Sequence, residues 1–513
     1  MQQNVKVITA YGDRVARPRQ SFPDILFVGE RSRQALSDGA RRGRFVRVGP
    51  GIYSTLPRAD QADVVRRNAI QIVDHALPGA IIADRSAFRL DVRADALYVI
   101  HPRTRPLVLP GMTIYPRRGA GPLPGDAPLN HSLHVSSQER TMLESLAAGR
   151  GERYLTRREI EDWIDRIIRE AGPDGEERIN YLRDRARELS ETHGLRAAFA
   201  QLDGIIGAAL ATRPAAAVES PSLRARAEGR PYDQRRLDLF ESMVGQLLDH
   251  APEPAPLLAQ DAARRRLLTF YEAYFSNFIE GTEFTLDEAA EIVFDEVIPR
   301  GRPADAHDVL GTYAIVNDEH EMARTPSTGD EFIELLRARH RVVLAGRPDM
   351  HPGQFKTRLN QAGSTVFVAP ELVEATLRES FEIGRRLVDP FARALYAMFV
   401  TSEVHPFADG NGRISRIMLN AELFSEGQVR IIVPTVFRNN YISALKAASN
   451  NRTFAALVSS MRFLQRWTGQ VDFTNRETAE ADLTRTNALR DPNEAEDVGI
   501  RLTLPAGRSL PNG

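Results

Sequence analysis

The chain reads as multidomain: a winged-helix-like and α/β N-terminal region, followed by an all-α region that carries one β-hairpin. Three observations predict this. Its 513 residues are too many for one hydrophobic core. Over roughly the first 200 residues, short apolar runs are punctuated by Gly and Pro, whereas from Tyr232 onward apolar residues recur at helical spacing almost throughout. Between the two, Arg213–Pro231 (RPAAAVESPSLRARAEGRP) is rich in Ala, Pro, Ser and Arg with little periodicity, which reads as a linker. The expected boundaries are 1–60 winged-helix-like, 61–212 α/β, 213–231 linker, 232–470 helical domain and 471–513 C-terminal extension.

In chain order, Ser21–Val28 is a short entry segment and Glu30–Arg42 a short helix ended by Gly43. Arg44–Thr55 (RFVRVGPGIYST) reads as two strands around a Gly-Pro-Gly turn. A helix and then a basic hairpin is how a winged helix-turn-helix ends. Arg31, Arg33, Arg41, Arg42, Arg44 and Arg47 make this a local basic cluster suited to DNA phosphates, or else a solvated arginine-rich face. Asp63–His75 follows as an amphipathic helix, then Ala80–Ala87, strands at Leu97–Ile100, Leu107–Leu109 and Met112–Tyr115, and helices at Ser137–Ala147, Thr156–Arg169 and Arg178–Thr192. The words GRFVRVGPGIYS, GAIIADRSAFRL, LPGMTIYP and SSQERTMLESL make residues 25–205 resemble the AbiEi-type regulators, the antitoxin side of type IV toxin–antitoxin pairs. That resemblance implies an N-terminal winged helix and transfers no catalytic residue.

Composition excludes several classes. Hydrophobic content of 42% with 26% charged residues is that of a soluble globular chain, and a net charge of −1 gives no global pull towards nucleic acid or membrane. Zero cysteines rule out disulfides, thiolate metal sites and a cysteine nucleophile. The first residues lack an apolar signal core and no run of 18 apolar residues occurs, so a cytoplasmic protein without membrane partners is the expectation. Self-association as a homodimer is left open.

The second half predicts helices at Gln234–Leu248, Asp261–Ile279, Leu286–Asp295, Asp308–Ala323 and Glu331–Ala345, with Thr285 and Glu288 forming a capping box. Pro352–Pro370 (PGQFKTRLNQAGSTVFVAP) holds two β-leaning runs separated by Asn360–Gly363, a hairpin pattern. Pro390–Val404 is a buried helix that Pro406 ends at His405. Then comes the stretch on which function turns, HPFADGNGRISR, His405–Arg416. Gly410-Asn411-Gly412 suits positive-φ backbone that points successive N–H groups inward as an anion nest, and a helix starting near Gly412 aims its N-terminus at the same place. Arg413 and Arg416, three apart, face one side with forks matched to phosphate oxygens. Asp409 suits a magnesium ion bridging two phosphates, and His405 suits a base that accepts a hydroxyl proton. Singly each group is ordinary; no structural need assembles all of them within twelve residues.

This stretch resembles the Fic (Fido) signature HPFx[DE]GNGRxxR at every defined position, and the likeness extends over about residues 230–464. It implies an all-α Fic fold with a hairpin flap, and transfer of AMP from ATP to a Ser, Thr or Tyr hydroxyl of a target protein. The implied roles are His405 as base, Asp409 as Mg2+ ligand, Gly410, Asn411 and Gly412 as the phosphate nest, and Arg413 and Arg416 on the outer phosphates. Ser276-Asn277-Phe278-Ile279-Glu280-Gly281 matches the family's inhibitory pattern [ST]xxxE[GN] on a helix of about residues 261–281. By that resemblance Ser276, Glu280 and Gly281 form a restraint in which Glu280 pairs with Arg416. The flap is implied to clamp a target backbone along Lys356, Arg358, Thr365 and Val366, and Arg438–Ala448 (RNNYISALKAA) puts Tyr441 near the adenine. ATP and Mg2+ are the cofactors so implied. The alternative reading is a DNA-binding, toxin–antitoxin-like regulator whose Fic part senses nucleotide or removes AMP.

Overall fold

The computed structural model describes residues 23–57, 59–90, 95–130, 132–149, 151–214, 218–257, 261–363 and 365–505. The chain divides into two units, Met1–Ala227 and Glu228–Gly513. Among the described residues no helix is long and apolar enough to cross a membrane.

The first unit opens with β1 (Ile25–Phe27), α1 (Arg33–Arg41), β2 (Val46–Gly49) and β3 (Ile52–Ser54), an antiparallel sheet of order β1-β3-β2. Ser32 starts α1 by accepting a hydrogen bond from Ala35 N at 3.1 Å, and Gly51 (φ 76°) makes the turn between β2 and β3. Leu26, Leu36 and Tyr53 close a small core under this sheet. The described part of residues 1–60 holds one helix followed by a hairpin, and the rest of the winged-helix expectation, over residues 1–22, lies outside the described residues.

Where one helix was expected over Asp63–His75 there are two, α2 (Gln61–Arg67) and α3 (Ala69–Ala76). Asn68 breaks the run, with φ −106° and ψ 15°, because its side chain bonds Val64 O at 2.8 Å and competes with the main-chain ladder. Strands β4 (Ile81–Ile82), β5 (Ala96–Ile100), β6 (Leu107–Leu109), β7 (Met112–Arg117), β8 (Ala127–Pro128) and β9 (His134–Val135) form a mixed sheet of order β6-β7-β5-β4-β9-β8, with α4 (Asp84–Arg89) after β4. Then come α5 (Gln138–Ala148), α6 (Arg157–Ala171), α7 (Gly175–His193), α8 (Arg196–Ala209) and α9 (Pro221–Ala227). Helix α9 lies inside the expected linker: Val218, Ser222 and Leu223 are buried and α9 packs on α6 and α8, so too few apolar residues to show a period suffice to dock one short helix.

The second unit is helical: α10 (Gln234–Leu248), α11 (Ala262–Ile279), α12 (Leu286–Phe294), α13 (Pro303–Asn317), α14 (Glu319–Met322), α15 (Gly329–Val343), the hairpin β10 (Gln361–Ala362) and β11 (Thr365–Val366), α16 (Val373–Gly384), α17 (Pro390–Val404), α18 (Asn411–Ser425), α19 (Arg438–Asn451), α20 (Ala455–Gln470), α21 (Arg476–Arg485) and α22 (Pro492–Asp497). Thr285 and Glu288 make both capping-box bonds of α12. The helix expected over Asp308–Ala323 starts earlier, with Pro303 in its first turn, and is interrupted at Asp318, which caps α14 through His320 N and Glu321 N. Helices α17 and α18 pack together, and Phe399, Phe407, Tyr441, Phe454 and Trp467 fill the core around them. The chain after α20 buries Leu483, Ala488, Ala495 and Leu502; its last residues, 506–513, lie outside the described residues.

Candidate functional site

Helix α17 delivers the histidine. With Pro406 next in sequence, His405 leaves the helix in the left-handed region (φ 51°, ψ 60°), a conformation uncommon for a residue with a Cβ. Its Nδ1 lies 3.2 Å from Ser402 O, a group that only accepts, so Nδ1 carries the hydrogen and Nε2 keeps its lone pair. The ring stacks on Phe367 at 3.9 Å and 8°. Burial pushes its pKa down to about 4; the Ser402 carbonyl opposes this and the Lys356 ammonium adds to it. The imidazole is therefore neutral at physiological pH.

The loop after it is pinned from inside. Asn411 accepts from Phe407 N and donates to Phe407 O, both at 2.9 Å, so its side chain is committed to the loop. Of the three expected nest residues Gly410 alone has positive φ (75°); Asn411 and Gly412 are the first residues of α18. The anion seat is thus the free N–H groups of a helix N-terminus, not a run of left-handed residues. A Cβ on Gly410 would stand 2.5 Å from Leu344 Cδ2, which is why glycine is needed there.

That seat holds a carboxylate. A Cβ on Gly412 would lie 2.1 Å from Glu280 Oε1, so the Glu280 side chain rests against the bare Cα of the second helical residue. Glu280 caps the C-terminus of α11, and Gly281 (φ 90°) turns the chain away. Arg416 donates from Nη2 to Glu280 Oε1 at 2.7 Å and to Ser276 O at 2.8 Å, and from Nε to Ser276 Oγ at 3.0 Å. Burial works to lower the pKa of Arg416, and the Glu280 charge, the Tyr441 hydroxyl and the hydrogen bonds to both together outweigh it, leaving the guanidinium above its ordinary value. Tyr441 is 1% exposed and its hydroxyl interacts with Arg416, which makes it a support for that arginine.

Arg413 is 2% exposed and points elsewhere: Nη1 donates to Asp308 Oδ2 (2.5 Å) and Asn277 Oδ1 (3.3 Å), and Nη2 lies 3.6 Å from Asp409 Oδ2. Asp409 keeps a side chain that is 46% exposed and accepts from Gly410 N at 2.7 Å. Among the described residues no group of three His, Asp or Glu side chains is arranged to hold a metal. One accessible carboxylate at a phosphate seat still fits Mg2+, which is usually held by one or two carboxylates together with substrate phosphates.

Several participants escape a reading of the motif. His340 donates from Nε2 to Asp409 O (3.0 Å), accepts from Gly353 N (2.9 Å) and stacks on Phe407 at 3.8 Å; burial takes its pKa to about 4. Asp308, Asn277 and Arg347 surround Arg413, and Asn360 ties the hairpin base to Phe407 O at 3.0 Å. Each comes from a segment remote in sequence from the motif.

The hairpin is shorter than expected, two residues per strand, and its side chains divide. Arg358 and Val366 are exposed and Thr365 is half-buried, whereas Lys356 is 5% exposed. The expectation that Lys356 lines a target strand is corrected: Nζ points inward to Asn360 Oδ1 (2.6 Å) and Val404 O (3.4 Å), over the Phe367 ring, and burial followed by the Arg236 charge lowers its pKa to about 7. Arg236 takes Val366 O at 2.7 Å and pairs with Glu403, so one side of the hairpin is already engaged. Arg31, Arg33, Arg41, Arg42, Arg44 and Arg47 belong to the first unit and are all exposed.

Residues 332–423 match the Fic/DOC family. The chain is 26% identical over 259 residues to protein adenylyltransferase fic-1 of Caenorhabditis elegans, covering 47% of this chain and 49% of that relative. It is 27% identical over 287 residues to protein adenylyltransferase Fic of Nematostella vectensis, covering 53% and 64%. The chain thus spans about half to two thirds of the length of these curated relatives. Among solved structures it is similar to Fic-1 from C. elegans (21% identity, 63% of this chain and 94% of that one, TM-score 0.34). It is also similar to a Fic domain containing signaling protein from Bacteroides thetaiotaomicron (18%, 50% and 97%, TM-score 0.33).

Proposed function

We propose that the second unit is a protein adenylyltransferase restrained by its own Glu280. The observation that carries this is an anion already seated as a nucleotide phosphate would be: the Glu280 carboxylate against Gly412 at the start of α18, paired with Arg416. ATP displaces that carboxylate and takes over Arg416. His405 Nε2 accepts the proton of a target Ser, Thr or Tyr hydroxyl as its oxygen bonds the α-phosphorus, and the bond from that phosphorus to the pyrophosphate oxygen breaks. Arg413 and Arg416 stabilise charge on the departing pyrophosphate. Asp409 would hold Mg2+, which when bound neutralises charge between neighbouring phosphates. Arg358, Thr365 and Val366 offer the hairpin edge to an extended target segment.

Intact mass of the Glu280→Gly protein after incubation with ATP, GTP or CDP-choline in turn tests this. A mass gain of one AMP with ATP alone is the expected result; no adduct with any of the three, on the chain or an added lysate, sinks the transferase. The second reading, DNA contact by the first unit, is supported by six exposed arginines within 17 residues. Gel shift on the gene's upstream DNA tests it, and no shift at low salt removes it.

A further inference from the structure

The Arg413 guanidinium sits in a cluster that the nucleotide reading does not account for. Asp308 comes from α13, far in sequence from the motif, and is fully buried. One of its oxygens, Oδ2, accepts from two arginines at once, Arg413 Nη1 at 2.5 Å and Arg347 Nε at 2.8 Å. Arg347 is further held by Asp305 Oδ1 at 2.6 Å, and Asn277 of α11 adds a 3.3 Å contact to Arg413 Nη1. Asp308 is thus shared between one buried cation, Arg413, and one partly buried cation, Arg347, and removing it would leave like charges facing one another. Two atoms of the cluster remain buried with no partner: Asp308 Oδ1 and Arg413 Nε. Orphaned polar atoms of this kind are rare, and Arg413 Nε is a donor left over for an incoming acceptor.

We propose that Asp308, braced by Arg347, is a positioning residue that holds Arg413 by one terminal nitrogen so that its remaining donors meet the outer phosphates of the nucleotide. This rests on the nucleotide reading above and deepens it, because it assigns the discrimination of a triphosphate from a monophosphate to a carboxylate outside the motif. Asp308 neither touches nucleotide nor moves a proton. It fixes the plane of a guanidinium, and bidentate recognition of phosphate depends on that plane. Asn277 shares the same arginine with the helix that carries Glu280, so α11 holds both motif arginines, Arg416 through Ser276 and Glu280 and Arg413 through Asn277.

The test is equilibrium binding of ATP and of AMP to the full chain carrying Glu280→Gly, with and without Asp308→Asn, each variant checked by circular dichroism and thermal melting. Asp308→Asn is expected to weaken ATP binding about tenfold and leave AMP binding unchanged, because AMP has no outer phosphates. Combining it with Arg413→Ala is expected to add nothing beyond Arg413→Ala alone. Equal loss of ATP and AMP affinity, additive losses, or tighter ATP binding (the result if Asp308 competes with phosphate) each overturn the assignment. Should Asp308→Asn not fold, Arg347→Gln, on a side chain only partly buried, removes the brace and is expected to cost about threefold for ATP and nothing for AMP; no change for ATP overturns it. A Glu280→Gly parent that binds no ATP overturns the nucleotide reading itself, which separates the two failures.

Discussion

Two sets of arginines make the comparison that this molecule teaches best. The first unit carries six on and around one small sheet, all exposed, among which Arg41 makes one long, weak contact with Asp38 at 3.9 Å. The second unit carries two at the start of α18, 2% and 5% exposed, each held by named side chains: Asp308, Asn277 and Asp409 on Arg413, and Ser276 and Glu280 on Arg416. By count alone the first set looks the better anion site. Exposed guanidinium groups are hydrated and screened, and contribute a diffuse field. Buried ones act at low dielectric from fixed positions, and a fixed donor is worth most where charge develops.

The largest expected effect belongs to the base beside the buried pair. His405→Ala in the Glu280→Gly protein is expected to cut transfer of labelled AMP by about a thousandfold with its circular dichroism unchanged; activity within tenfold of the parent would remove His405 from the chemistry. Arg416→Ala in the same background is expected to lower the turnover rate about a hundredfold. Glu280→Gly by itself is expected to raise ATP affinity and automodification about a hundredfold, since a competing Glu–Arg pair worth about 2.7 kcal/mol accounts for that factor. If the affinity is unchanged, the carboxylate is a structural cap and no restraint.

A pH series probes the same burial. His405 and His340 both have folded pKa values of about 4 against 6.5 when free, so between these values the unfolded chain binds more protons than the folded one. Their contribution to stability is therefore complete above about pH 6.5 and is lost as pH falls towards 4. The melting temperature should drop across that window, and less steeply in His340→Gln. Transfer, which needs the neutral imidazole, should persist at pH 5.5 in protein that remains folded. A fall in activity centred near pH 6.5 would contradict the buried histidine. The smallest effect is reserved for the exposed set. Replacing Arg41, Arg42 and Arg44 together by Ala is expected to shift the melting temperature by no more than about 2 °C and to leave ATP binding untouched, because exposed pairs contribute only ~0–1 kcal/mol. The same triple variant should reduce the salt dependence of any DNA shift; an unchanged slope would assign that binding elsewhere.

Legibility from sequence followed locality. The end of α17 at His405, the capping box at Thr285 and the sharing of one helix face by Ser276 and Glu280 are short-range consequences of side-chain and backbone geometry, and the structure has each. Asn411 and Gly412 do not take the left-handed conformation expected of the nest, because glycine and asparagine permit positive φ without requiring it. The family resemblance implies a Lys356 that lines the flap; only the folded chain brings Asn360 and Val404 O around its amine. The break at Asn68 and the docking of α9 depended on one side-chain bond and a few apolar residues, too small a signal for periodicity to register.

What the sequence determined by itself was the chemistry within twelve residues: a base, a carboxylate, a glycine-opened helix start and two guanidinium groups on one face, all set by bonds and turns that act over a few residues. Which partners share those groups is settled by folding alone. Glu280 comes to Gly412 from more than a hundred residues upstream, Asp308 reaches Arg413 from another helix, and Lys356 turns away from the surface. Partners at such separations meet because apolar faces pack, and packing leaves no spacing rule in the chain from which the meeting can be read.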